Sequence, residues 1–228
     1  TVDEVVQAIE EIIREFLPLD VELKADTELQ RLRLSSLDMA RLEYLIHEAC
    51  SGLEEVYPDK IIAETVKNLY DGVSIKDVNT SMVMTARTMV EKDPNYSFVT
   101  ARLLMDTLRS EALGFLGITN AVTQTEMHYR YAATLKSYIK KGVELELLSP
   151  HLLDFDLDVL GEALKADRDQ QFTYLGLQTL YDRYFIHSEG IRFELPQVFY
   201  MRVAMGLASN EENREQRAIE FYNLISSF

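Results

Sequence analysis

Residues 96–113, Tyr96-Ser97-Phe98-Val99-Thr100-Ala101-Arg102-Leu103-Leu104-Met105-Asp106-Thr107-Leu108-Arg109-Ser110-Glu111-Ala112-Leu113, decide the fold. Phe98, Val99, Leu103, Leu104, Met105, Leu108 and Leu113 fall at helical spacing but spread around much of the helix. A helix that is apolar on more than one face belongs inside a helical body, since a surface helix needs only one apolar stripe. Asp93-Pro94-Asn95 breaks the chain before it, and Gly114 and Gly117 are placed to close it.

Working outward, the same periodicity predicts helices over Leu37–Ser51, Asp59–Tyr70 and Lys76–Lys92. Ser35 or Ser36 can cap the first of these, Gly52 ends it, and Asp71-Gly72 separates the other two. Val2, Val5, Val6, Ile9, Ile12, Ile13 and Phe16 predict an earlier amphipathic helix over residues 2–17. Pro18 stops it, and residues 18–35 read as a loop. On the other side, helices are expected at Thr125–Lys141, with Gly142 as the stop, and at Leu157–Leu164, Phe172–Asp182, Pro196–Leu207 and Asn210–Ser227. Two β-prone arms in residues 184–193 flank a turn ending in Gly190 and read as a hairpin. The expected fold class is mainly α, a multi-helix domain with one short β-hairpin near 184–193 and no catalytic α/β barrel.

Composition narrows the function. The chain of 228 residues is 47% hydrophobic and 27% charged, so it can form a core. With 38 acidic and 23 basic side chains its net charge is −15, which repels a phosphate backbone and argues against nucleic-acid binding. No apolar run has the roughly 18–20 residues that cross a bilayer, and no basic stretch leads into an apolar one at the start. No membrane role and no secretory signal are therefore expected. The single cysteine, Cys50, fits a reducing cytoplasm. Residues 1–50 hold 12 acidic and five basic side chains, which sets that stretch apart from the rest.

Motifs for self-contained chemistry do not occur: no GxGxxG, GxxxxGK[ST], HExxH, CxxC or GxSxG. His47 and Cys50, three apart on one helix, read as a surface histidine beside a core thiol rather than a metal pair. Tyr174, Tyr181, Tyr184, Phe185, Phe193, Phe199 and Tyr200 read as packing residues. Arg168 and Asp169 beside Asp167 read as a surface or interdomain ion cluster. Metal ligands are not expected.

Several long stretches carry a resemblance. They are Leu69-Tyr70-Asp71-Gly72-Val73, Lys92-Asp93-Pro94-Asn95-Tyr96-Ser97, Ala101-Arg102-Leu103-Leu104, and Asp167-Arg168-Asp169 through Phe172-Thr173-Tyr174. Further on come Tyr181-Asp182-Arg183-Tyr184, Glu194-Leu195-Pro196-Gln197, and Phe221-Tyr222-Asn223-Leu224-Ile225-Ser226-Ser227-Phe228. From about Leu37 to Phe228 the chain resembles the N-terminal region of the large subunit of bacterial class I ribonucleoside-diphosphate reductase. The resemblance implies an ATP-cone remnant over 37–93 and the family's N-terminal helical domain over 94–228. The family's catalytic barrel, with its redox and radical cysteines, belongs to sequence not present here.

The resemblance further implies a cytoplasmic enzyme that reduces ribonucleoside diphosphates to deoxyribonucleoside diphosphates for DNA synthesis. That enzyme is an allosteric homodimer that responds to nucleotide effectors and takes its radical from a metal-containing small subunit. The present chain is expected to pack against its own barrel, to be structural or allosteric, and to be inactive alone. It has no cofactor of its own on this reading. The family's cone positions fall on Met39, Ile75 and Ser110, where polar or cationic contacts are replaced by two apolar side chains and a hydroxyl. These positions are expected not to bind a triphosphate, which needs several cationic or N–H donors. The helices Phe98–Leu113 and Pro196–Leu207 are expected to face the barrel and to leave a sticky apolar patch without it.

Residues 1 to about 46 also resemble an acyl carrier protein, on an acidic first helix and Leu34-Ser35-Ser36-Leu37-Asp38-Met39. The segment 1–36 is thus either acyl-carrier-like or a divergent cone start. The alternative function is an acyl-carrier-like binding module with phosphopantetheine on Ser36, at a helix N-terminus that favours a phosphodiester. The competing reading of Ser36 is a helix N-cap.

Overall fold

The computed structural model describes residues 36–70, 72–119 and 122–228. The helix over residues 2–17, the loop over 18–35 and the acidic segment they compose lie outside the described residues. Helices are numbered here from the first one described. They are α1 (Ser36–Cys50), α2 (Pro58–Lys67), α3 (Ile75–Thr88), α4 (Tyr96–Phe115) and α5 (Met127–Glu144). A 3-10 turn at Pro150–Asp154 leads to α6 (Leu157–Glu162), and a second at Ala166–Gln171 leads to α7 (Tyr174–Arg183). The hairpin β1 (His187–Ser188) and β2 (Ile191–Arg192) precedes α8 (Pro196–Ala208) and α9 (Arg214–Ile225).

The 20-residue α4 occupies the place its sequence predicts. Val99, Leu108, Ala112 and Leu113 are buried, and so are the small or polar Thr100 and Ala101. One side of α4 packs against α1 and α3, the other against α7, β2 and the second 3-10 turn. It therefore belongs to both halves of the molecule: a front group of α1–α3 and a rear group of α5–α9. In the rear group α5 packs on α6, and α8 runs beside α9.

Local chemistry sets the boundaries. Ser74 caps α3 by accepting from the Asp77 N–H, Thr173 caps α7 by accepting from the Gly176 N–H, and Asp156 caps α6. Helix α2 stops at Lys67, short of the expected Tyr70, because the Asn68 side chain donates to the Glu64 carbonyl at 2.9 Å and closes the last turn. Helix α4 continues through Gly114 and closes at Gly117, φ +69°, where the Ile118 N–H reaches back to the Leu113 carbonyl at 2.9 Å. The hairpin is shorter than expected but turns as expected, with Glu189 (φ 51°) and Gly190 (φ 82°) both left-handed between paired strands.

Two expectations fail on packing. Gly142 does not stop α5; it is buried inside it, where a Cβ would stand 2.4 Å from Leu148 Cδ1. The helix ends instead at Glu144, and just beyond it Glu146, a non-glycine residue at φ 59°, turns the chain so that the Leu147 N–H bonds the Gly142 carbonyl at 2.9 Å. The small residue is thus needed for the close approach of the returning chain, and the left-handed cap falls on glutamate. The apolar faces of α4 and α8 are likewise not left open for a barrel. Val198, Met201, Ala204, Met205 and Ala208 are all 0% exposed, covered by this chain's own helices. What α8 leaves partly outside is its other face, with Phe199, Tyr200 and Val203 half-buried and Leu207 61% exposed.

Candidate functional site

The three positions expected to replace a family's phosphate contacts sit on three helices that pack on one another, α1, α3 and α4. Met39 is buried on α1, Ile75 opens α3 and is partly exposed, and Ser110 lies half-buried on α4. The N-terminus of α3, where Ile75 stands, is a place where aligned N–H donors could meet an anion. It is already occupied from within. The Ser74 hydroxyl donates to Asp77 Oδ2 at 2.7 Å, the Tyr70 hydroxyl reaches the same oxygen at 3.4 Å, and the Asp77 carboxylate neutralises the positive end of the helix. Ser36 is the first residue of α1.

The rear group holds two polar assemblies inside the core. In the first, Glu194 is fully buried and receives four donors. Arg202 Nε lies at 2.6 Å from Oε1 and Nη2 at 3.2 Å from Oε2, the Tyr138 hydroxyl donates to Oε1 at 2.6 Å, and the Ile186 N–H donates to Oε2 at 2.9 Å. Burial drives the Tyr138 phenol well above its ordinary value, and the Glu194 charge adds to it. The second assembly runs in series. The Lys165 N–H donates to the Tyr222 hydroxyl, which donates to Gln197 Oε1; Gln197 Nε2 then donates to Asp169 Oδ1 at 2.8 Å, and the Tyr131 hydroxyl donates to Asp169 Oδ2 at 2.6 Å. Burial raises the Asp169 carboxyl to about 6, against the pull of its two hydrogen-bond donors and of Arg109.

Asp169 is therefore not part of a surface ion cluster. It is 2% exposed, whereas its neighbours divide: Asp167 pairs with His128 at the surface, and Arg168 reaches Asn223 and Ser226 on α9. Gln171 also ties the second 3-10 turn to the end of α9, by donating to the Ser226 carbonyl at 2.6 Å. Both assemblies join separate elements, and Tyr131, Tyr138, Asp169 and Glu194 are all buried, so their chemistry is structural.

Cys50 is buried at the end of α1 and His47 is exposed, so the two do not form a pair. Burial pushes the Cys50 thiol up to about 11, with Arg102 opposing. Among the described residues no group of three or more His, Cys, Asp or Glu could hold a metal ion, and no helix is long and apolar enough to cross a membrane. The aromatic residues pack as expected, with Phe115 stacked on Phe193 at 5.0 Å and Phe185 edge-on to Phe199 at 5.6 Å.

Sequence reasoning missed Arg109, Glu194 and Arg202 as buried charges. The available signal was context: Glu194 stands between Phe193 and Leu195, and Arg109 follows Leu108 and precedes Ala112 and Leu113 on the largely buried α4. A charge in such a place needs a partner from another element, and the sequence does not say which.

Comparison with known proteins places the sequence. Residues 170–228, which include α7, the hairpin, α8 and α9, match the all-alpha domain of ribonucleotide reductase. Over 197 residues, 85% of the chain, it is 41% identical to the ribonucleoside-diphosphate reductase subunit alpha of Chlamydia trachomatis, of which it spans 18%. The protein of the same name from Helicobacter pylori is 32% identical over 86% of the chain, which spans 24% of it. The ribonucleoside-diphosphate reductase large subunit of Danio rerio is 31% identical over 79% of the chain, which spans 22% of it. The chain thus spans about a fifth of the length of these relatives.

Proposed function

From the premise that the chain belongs to the ribonucleoside-diphosphate reductase large-subunit family, we propose that it is a helical scaffold of such an enzyme. The observation that carries this is the match of residues 170–228 to the all-alpha domain, a stretch that includes Glu194, Gln197, Arg202 and Tyr222 of the two polar assemblies. The complete enzyme reduces ribonucleoside diphosphates to deoxyribonucleoside diphosphates in the cytoplasm. It works as a homodimer with a radical-generating, metal-containing small subunit and nucleotide effectors. The described residues hold helices and one two-stranded sheet, so the reduction itself belongs to a catalytic region outside them.

The surface suited to that region is an aromatic run across α8. Tyr184 meets Phe199 at 6.5 Å, Phe199 meets Tyr200 at 5.2 Å, and Tyr200 meets Phe228 at 6.4 Å. The run is open at Tyr184, 57% exposed, as in an interface that another domain covers. The cone remnant is a packing unit that does not grip a triphosphate: Met39 and Ile75 offer no donor, and Asp77 already fills the α3 terminus.

The test has two arms. The chain alone, given reductant and a radical-generating small subunit, turns over no ribonucleoside diphosphate; supplying a relative's catalytic region in trans gives a complex that Tyr184→Ser with Phe199→Ser weakens. Titration with ATP or dATP yields no micromolar isotherm. Turnover by the chain alone overturns the scaffold reading, and a micromolar isotherm overturns the blind cone. No observation favours phosphopantetheine on Ser36, and the carrier reading goes no further.

A further inference from the structure

A cavity of about 200 Å³ lies where the end of α1, one face of α4, the segment leading into α5 and the second 3-10 turn meet. Its polar lining includes Glu48, Arg102, Asp106, Arg109, Gln124 and Gln170. Met39, Ile75 and Ser110 do not line it, so it is separate from the family's phosphate positions.

Its central cation is poorly matched. The Arg109 side chain is 5% exposed, yet its hydrogen bond goes to a neutral acceptor, Gln124 Oε1, at 2.5 Å. The nearest carboxylate oxygen, on Asp106, stands 3.9 Å from Nη2, beyond hydrogen-bonding distance, and Nε has no acceptor among the described residues. Arg102 gives Nη1 to the Ala49 and Ser51 carbonyls and leaves its own Nε without an acceptor. Buried guanidinium groups in folded proteins are normally saturated with acceptors, so this deficit beside a cavity points to a missing ligand.

The same cavity holds two carboxyl groups under strain of a different kind. Burial raises both Asp106 and Glu48, and Arg109 is the chief charge opposing the rise in each. A fully deprotonated anion would relieve the arginines and oppose these carboxylates. An anion that keeps a proton serves both, because its bare oxygens accept from guanidinium while its O–H donates to carboxylate.

We propose that this cavity binds hydrogen phosphate, with Arg109 and Arg102 as donors and Asp106 as the acceptor of the ion's single O–H. The proposal does not depend on the scaffold reading. Sulfate, which has the same shape but no proton at neutral pH, is the natural comparison, and a site built around an O–H rejects the analogue that lacks it.

The test is calorimetric titration of the whole chain at neutral pH with inorganic phosphate, sulfate and methyl phosphate. Phosphate binds saturably and sulfate about tenfold more weakly or less. Methyl phosphate, whose dianion has no O–H, binds as weakly as sulfate; methyl phosphate matching phosphate overturns the proposal. Arg109→Lys keeps the charge but loses the fork and weakens phosphate binding. Asp106→Asn narrows the gap between phosphate and sulfate, with far-ultraviolet circular dichroism confirming that each variant is folded. Absence of saturable binding overturns the proposal. Equal binding of phosphate and sulfate, unchanged by Asp106→Asn, means an adventitious ion only and overturns it too.

Discussion

Arg202 grips both carboxylate oxygens of Glu194, at 2.6 Å and 3.2 Å, where Glu194 has no exposure at all. The pair connects α8 to the strand of chain that precedes it, and the Tyr138 hydroxyl brings in α5. Removing one member of a buried pair strands the other charge. Arg202→Met is therefore expected to lower unfolding free energy by about 3–5 kcal/mol, and Tyr138→Phe by about 1.5–3 kcal/mol for the lost bond to a charged acceptor. Urea denaturation checks both. A Tyr138→Phe cost equal to or above that of Arg202→Met contradicts this ordering.

Asp169 has its carboxyl raised from 3.8 to about 6 by burial. A raised carboxyl binds its proton more tightly in the folded state, so its contribution to stability is complete below about pH 4 and is lost as pH rises through about 6. The shift is worth up to about 3 kcal/mol. In Asp169→Asn that dependence disappears, and the stability difference between the two proteins should change between pH 4 and pH 7 in the sense that wild type loses more. Denaturant titrations across that range that run parallel for the two proteins rule this out.

Gly142 and Glu146 divide between them what one glycine was expected to do. Gly142→Ala pushes a methyl group onto Leu148 and is expected to cost about 1–3 kcal/mol despite alanine's better helix propensity. Glu146→Gly removes a left-handed non-glycine residue at φ 59° and is expected to stabilise by about 1 kcal/mol. Thermal unfolding should show shifts of opposite sign; shifts of the same sign would mean that the backbone cap or the Leu148 contact is misjudged.

The Cys50 thiol, buried and raised to about 11, carries little thiolate at neutral pH. Ellman's reagent should label it slowly in the native protein and at once in guanidinium. Rapid native labelling would place the thiol at the surface.

How much of this was legible before folding depends on whether the cause is local. Helix α4 could be read from seven apolar side chains at helical spacing, because burial on several faces leaves a periodic trace in sequence. The turn at Glu189-Gly190 and the Ser74 and Thr173 caps depend on one or two residues and their neighbours. The family was legible from long stretches such as Glu194-Leu195-Pro196-Gln197 and Phe221–Phe228.

The tertiary structure decided what depends on distant partners. It alone placed Leu148 against Gly142, buried Asp169 while leaving Asp167 in water, and gave Glu194 an arginine eight residues on and a tyrosine 56 residues back. It also covered the inner apolar faces of α4 and α8 with the chain's own helices, where the family resemblance had suggested a surface open to the barrel. A sequence records how apolar or charged each position is, and hence which faces must be buried. Which atoms bury them follows only when helices far apart in sequence pack, because desolvation and hydrogen bonding act over a few ångströms of space and not along the chain.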